Sequence, residues 1–342
     1  MQTKIYRDDI LKMVEKIRSE KVKDNITYDF LLDNSYIGGN GKPKEALIYM
    51  QYEDFSSCIE SFFNKLYIYT KKLLNNSSQE YIINLFKNAP FMIDKSKKIK
   101  RVPKIIKDDY DLFESSNHKG NIELIFKINE IKEFYNEKYI FLYDKLRDDF
   151  GAKLQKENEI FLCPYCQKNY INVIQKDSLL IKPDLDHFYP KGKYPFLAMS
   201  LDNLIPSCQT CNSRLKGEID FYEITHLHPL KSTEKIFEKI KFNYLSNTIY
   251  LDKIIFNKQE KQYLETFRIE EVYNTHTEIL DDILEKNKKY NYVKKNHILK
   301  TCPSMGMGII KKLVFHEYIH IDEKKVPMSS LKKSLFKKIV GA

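Results

Sequence analysis

Two cysteine pairs bracket an Asp-His dipeptide: Cys163-Pro164-Tyr165-Cys166 lies upstream of Asp186-His187, and Cys208-Gln209-Thr210-Cys211 lies downstream, followed at once by Asn212. Four thiolates in two C-x-x-C knuckles can close a tetrahedral Zn²⁺ shell with no open position, so the zinc they predict is structural and not catalytic. Asp186 and Asn212 offer hard oxygen ligands, which suit Mg²⁺ or Mn²⁺ better than Zn²⁺. His187 follows Asp186 directly, and on a strand the two side chains fall on opposite sides. Two metals with separate duties are therefore expected.

The same cysteines admit two other readings. C-P-Y-C is also the redox pair of a glutaredoxin, where a helix start lowers the pKa of one thiol. That chemistry needs no second knuckle, whereas this chain has one with Asn212 behind it. The other reading is a zinc ribbon that binds nucleic acid without cutting it, with His187 a structural histidine.

The order of Cys pair, Asp186-His187-Phe188-Tyr189-Pro190, Asp202-Asn203-Leu204 and Cys208-x-x-Cys211-Asn212 resembles the HNH nuclease family, in the branch whose ββα-metal site is clamped by a four-cysteine zinc. The resemblance is specific from Cys163 to Gly217 and extends to about residue 290. It implies that Asp186 and Asn212 hold one catalytic Mg²⁺ or Mn²⁺, that His187 deprotonates the attacking water, and that Asn203 ties a loop to the strand backbone. Asn212 stands where many members carry a final His, which bears on the preferred metal. Arg214, Lys216 and Lys191 are the candidate phosphate grips beside this core. The form Asp186-His187-Phe188-Tyr189-Pro190-Lys191 is also that of HNH proteins encoded beside ATPases, including those of Septu antiphage systems. The implied setting is antiviral defence, with a nucleic acid (DNA first, RNA second) as substrate and an ABC- or SMC-like ATPase as partner. A stand-alone restriction or homing endonuclease is the alternative.

At 342 residues, the chain is far longer than the stretch that carries this pattern. The expected layout is a helical region over 1–150 that can dock a partner, an HNH core over 151–225 and a mainly helical region over 226–342. The fold class is α+β, predominantly helical, around a zinc-stapled ββα-metal core. A net charge of +10 fits a polyanionic partner, although a chain this rich in Lys, Asn and Ile also fits an A+T-biased genome. Cys58 and Cys302 lie outside the knuckles, and the absence of a signal peptide or long apolar run predicts a cytoplasmic protein.

The elements that must carry these residues show as periodicity. Ile10, Met13, Val14 and Ile17 form one helical stripe; Phe55, Ile59, Phe62, Leu66 and Leu73 form another, with Cys58 read as a buried thiol. A third helix is expected from Asn121 to Asp149, and a further one from Phe267 through Leu284. Residues 178–181 should lead into the strand bearing Asp186, with Lys182-Pro183-Asp184 as an irregular approach, and a helix should begin near Cys208 or Cys211. Gly38-Gly39-Asn40-Gly41-Lys42 fails as a phosphate loop, since Tyr36 and Pro43 replace the required Gly and Ser/Thr. Any ATP dependence must then come from a partner. The basic run Lys95–Lys107 reads as a solvated loop or a phosphate-contacting arm. The alternation of Leu331, Leu335, Phe336 and Ile339 with lysines predicts an amphipathic basic helix. His226-x-His228 lacks the further ligands a metal would need.

Overall fold

The computed structural model describes residues 51–71, 79–88, 128, 132, 152, 154–156, 158–176, 179–198, 200–231, 233–252 and 256–341. The stripe Ile10–Ile17, the Gly38–Lys42 turn and the basic run Lys95–Lys107 lie outside these residues. Of the helix expected over 121–149, Ile128 and Lys132 are described, both helical and both buried. The described residues are mixed α+β: mostly helix, with small two-stranded sheets. No described helix is long and apolar enough to cross a membrane.

The chain gathers into two compact units, and neither is continuous in sequence. The first takes Met1–Phe150, Asp186–Leu204 and Asp220–Glu223; the second takes Gly151–Leu185, Ile205–Ile219 and Ile224–Ala342. The stretch 151–225 therefore contributes to both units.

In the first unit, helix α1 (Phe55–Lys71) buries Phe55, Cys58, Ile59, Phe62, Phe63 and Leu66, the i, i+3, i+4, i+7 pattern of a core-facing stripe. Burial, and then the charge of Asp54, pushes the Cys58 thiol up to about 12, so it stays protonated. Helix α2 (Gln79–Asn88) adds Phe86, whose ring centroid is 5.0 Å from Phe62 and 5.7 Å from Phe63. Phe196 stacks on Phe62 at 4.2 Å. Each buried aromatic ring contributes roughly 1.5–3 kcal/mol, so this cluster is a firm seat for the segment that follows His187.

In the second unit, the antiparallel hairpin β1 (Ile174–Lys176) and β2 (Leu179–Ile181) pairs Ile174 with Ile181. Residues 179–181 thus turn back on β1, and Asp184 is already part of strand β3 (Asp184–His187). β3 pairs with β4 (Leu204–Ser207), and each strand has residues in both units, Asp186 and His187 of β3 and Leu204 of β4 belonging to the first. After helix α3 (Thr233–Lys239), the hairpin β5 (Phe242–Leu245) and β6 (Thr248–Leu251) alternates Ile249 and Leu251 inward with exposed neighbours. Helix α4 (Lys258–Thr266) opens on a capping box between Asn257 and Glu260.

The helix expected from Phe267 onward is broken. Arg268 takes a left-handed φ of 49°, α5 (Ile269–Asn274) ends after six residues, and α6 (Thr277–Lys289) starts anew. Asn274 offers a reason for the second break: its carboxamide oxygen accepts the Ile249 N–H of β6 at 2.9 Å, which commits the chain at that point. Helices α7 (Tyr292–Thr301), α8 (Met307–Val314), α9 (His316–Ile319) and α10 (Ser329–Val340) complete the unit. The basic C-terminal helix packs on its own unit: Phe336 meets Phe315 at 5.4 Å and Tyr318 at 6.3 Å.

Candidate functional site

Cys163, Cys166, Cys208 and Cys211 meet in the second unit with all four Sγ atoms within 4.8 Å of one another. A tetrahedral zinc with Zn–S near 2.3 Å sets sulfurs roughly 3.8 Å apart, so this donor set is compatible with zinc. The first knuckle is shaped by backbone bonds, Gln167 N–H to Cys163 O at 2.8 Å and Cys163 N–H to Asn169 O at 2.9 Å, with Gln167 in a left-handed φ of 48°.

Three side chains that the sequence does not mark hold this cluster. Tyr263 OH donates to Tyr165 O at 2.7 Å, and Tyr273 OH donates to Cys166 O at 2.8 Å. Asn169 Nδ2 donates to Cys208 Sγ at 3.2 Å, a bond that favours thiolate. Tyr165 stacks on Phe267 at 4.4 Å and Tyr273 on Phe242 at 5.0 Å, which seats the knuckle on α4, α5 and β5. The two tyrosine hydroxyl bonds span about a hundred residues of sequence, beyond the reach of any local motif.

The thiols pull one another in opposite directions. Hydrogen bonds from Cys163, Cys166 and Cys211 hold Cys208 far below the ordinary thiol range. Those from Cys163, Cys166 and Cys208 push Cys211 far above it. Burial pushes Cys163 up, and its hydrogen bond to Cys166 holds the latter down. Sulfurs this close share protons because four bare thiolates would repel; a divalent cation removes the conflict by letting all four ionise. A glutaredoxin-like pair would stand alone, whereas here the second pair completes the first.

The second knuckle runs into a π-helix, Thr210–Lys216, where an ordinary helix was expected. Gly217 N–H closes it on Asn212 O at 2.9 Å, and Gly217 itself adopts φ 51°, ψ −124°, a conformation that suits glycine. Such widened turns occur often at functional sites. Asn212 Nδ2 donates to Asp184 Oδ2 at 3.2 Å within this unit, so the amide end of Asn212 is committed to a carboxylate and its carbonyl oxygen is the atom left in ligand character. Arg214 is exposed, whereas Lys216 is only 2% exposed.

The first unit carries Asp186, His187, Lys191 and Asn203. Asp186 and His187 are both buried at the end of β3, and Lys191 is half-buried. His187 Nε2 lies 3.0 Å from Ala198 O. A carbonyl can only accept, so Nε2 carries the proton and, in the neutral ring, Nδ1 carries the lone pair. Asn203 is wholly buried and clamps the loop after His187: its Oδ1 accepts Tyr189 N–H at 2.7 Å, while its Nδ2 donates to Tyr189 O at 3.2 Å and Leu197 O at 3.1 Å. Its own carbonyl accepts Phe188 N–H at 2.8 Å. Farther along, buried Asp220 accepts from Tyr194 OH at 2.8 Å and pairs with Lys193 at 3.4 Å. Asp186 and Asn212 belong to different units.

His226 and His228 are accounted for without metal. His226 is buried with Nε2 2.7 Å from Thr266 Oγ1 and Nδ1 against Ile224 O, and His228 Nδ1 accepts Leu230 N–H at 3.3 Å.

The described residues thus define a mixed α+β protein with a four-cysteine cluster, three of its cysteines buried and Cys208 half-buried, compatible with zinc. Comparison of the chain with family models, with curated proteins and with solved structures finds no match.

Proposed function

We propose that this protein is a zinc-stapled HNH-type endonuclease that hydrolyses nucleic-acid phosphodiester bonds with one Mg²⁺ or Mn²⁺. The observation that carries this reading is the Nε2–Ala198 contact, which leaves Nδ1 as the basic atom of a buried histidine that directly follows a buried aspartate in sequence. A general base of this kind accepts the proton of the attacking water. Asp186 is the carboxylate that would hold the divalent cation; when bound, that ion stabilises charge on the pentacoordinate phosphorus and the leaving oxygen. Asn203 acts on the backbone only, holding the Phe188–Tyr189 turn so that the imidazole keeps its aim. Arg214, exposed beyond the second knuckle, contacts phosphate oxygens.

The likeness to HNH proteins of Septu systems further supports a role as a defence nuclease working with an ABC- or SMC-like ATPase, with DNA ahead of RNA as substrate. The test is cleavage of plasmid DNA and of total RNA by the full chain, alone and with the product of an adjacent ATPase gene, in Mg²⁺ and in Mn²⁺. Cleavage that leaves 5′-phosphate and 3′-hydroxyl ends and disappears in His187→Ala is expected. Ends bearing 2′,3′-cyclic phosphate would show that a ribose hydroxyl was the nucleophile, and full activity in His187→Ala would remove the mechanism.

A further inference from the structure

The second unit carries two surfaces of opposite character. Residues 291–316 contain five lysines and no carboxylate. Helix α7 within them buries no residue at all, and α8 buries only Ile310. Val293 is 74% exposed, Leu313 64% and Ile309 49%, an amount of bare aliphatic surface that a solvated helix pair does not need. Lys295, Lys300 and Lys312 have no carboxylate partner among the described residues.

Elsewhere in the same unit, a groove of about 490 Å³ is lined by Ile160, Phe161, Leu230 and Phe237. Glu159 and Glu238 stand in its lining, and neither side chain has a partner among the described residues. In a chain of net charge +10, a part-apolar groove whose lining carries four carboxylates against one ammonium, that of Lys324, is matched to a basic, aliphatic visitor. The α7–α8 hairpin has that chemistry.

We propose that the groove of one copy receives the α7–α8 hairpin of a second copy. A nucleic acid would use the lysines but leave Val293, Ile309 and Leu313 in water, and Tyr292 is the single tyrosine, phenylalanine or tryptophan ring that these helices offer for base stacking. A groove that is part apolar and net acidic accepts both halves of the surface. The contact is head-to-tail, so each copy has one groove and one hairpin to offer and the assembly grows into a ring or an open chain. This inference is independent of the nuclease reading, because it is read by mass and not by cleavage.

Sedimentation of the purified, zinc-loaded full chain tests it. The wild type should associate in a concentration-dependent manner that weakens with salt. Glu159→Lys/Glu238→Lys and Lys295→Glu/Lys312→Glu should each weaken association by at least about tenfold, all four positions being exposed or half-exposed and their replacement therefore compatible with folding. Mixing the two variants should restore association. A chain that stays monomeric at low salt, or association that survives either reversal, overturns the proposal. So does loss of binding to anionic vesicles or to a single-stranded oligonucleotide in Lys295→Glu/Lys312→Glu when the wild type is monomeric, since the hairpin then serves that polyanion.

Discussion

A carbonyl oxygen cannot donate, and that rule makes Ala198 informative about His187. With Nε2–H held at 3.0 Å from Ala198 O, the neutral ring has its acceptor at Nδ1. Long-range ¹⁵N–¹H correlation spectra of histidine-labelled protein should therefore show the Nε2–H tautomer at this residue. If the protein is the nuclease proposed above, His187→Ala should lower the cleavage rate by about 10²–10⁴-fold, the range of a general base, while zinc content stays unchanged. A second histidine gives a prediction of opposite kind. Burial lowers the pKa of His226 below its unfolded value, so the unfolded chain binds the extra proton first. The stability this neutral ring contributes is intact above about pH 6.5 and is lost as the pH falls below that value toward the folded-state pKa. Thermal melts should thus decline on acidification, and His226→Gln, which cannot titrate, should flatten that part of the profile.

Elements explain what was legible and what was not. The four-cysteine cluster could be read from spacing alone, because two C-x-x-C turns are local objects and only their meeting is tertiary. The α1 stripe was legible for the same reason, its period being set by one helix face. The break after Asn274 and the π-turns after Cys211 were not, since they depend on the Asn274 to Ile249 bond and the Gly217–Asn212 closure, which propensity does not encode. Tyr263 and Tyr273 carry no mark in the sequence, because a helical tyrosine has no motif that ties its hydroxyl to a knuckle carbonyl about a hundred residues away. Tyr273→Phe leaves the Cys166 carbonyl without that partner in a buried place, at a cost of about 1–3 kcal/mol. Cys208→Ser should do more: zinc is lost and the second unit with it, whereas Cys58→Ser should keep the metal. Elemental analysis beside thermal melts distinguishes the two cysteines, and folded wild-type protein without zinc would refute the cluster's assigned role.

At the scale of the whole molecule, a charge of +10 suits a polyanionic partner but does not say which cations would meet it. Arg214 and Lys216 make the distinction measurable. They are two residues apart in the same π-helix, yet Arg214 is exposed and Lys216 is 2% exposed, so they should behave differently although both are cations. A side chain that neutralises a phosphate releases counterions, and its removal lowers the slope of log affinity against log salt by about 1. Arg214→Ala in a His187→Ala background, which keeps the nucleic acid whole, should show that loss by fluorescence anisotropy on a short duplex. Lys216→Met keeps the apolar stem and removes a charge held inside the protein, so the slope should stay and the melting temperature should move instead. If the slope falls with Lys216→Met and not with Arg214→Ala, the buried ammonium is the one that reaches phosphate, and the assignment of Arg214 is wrong.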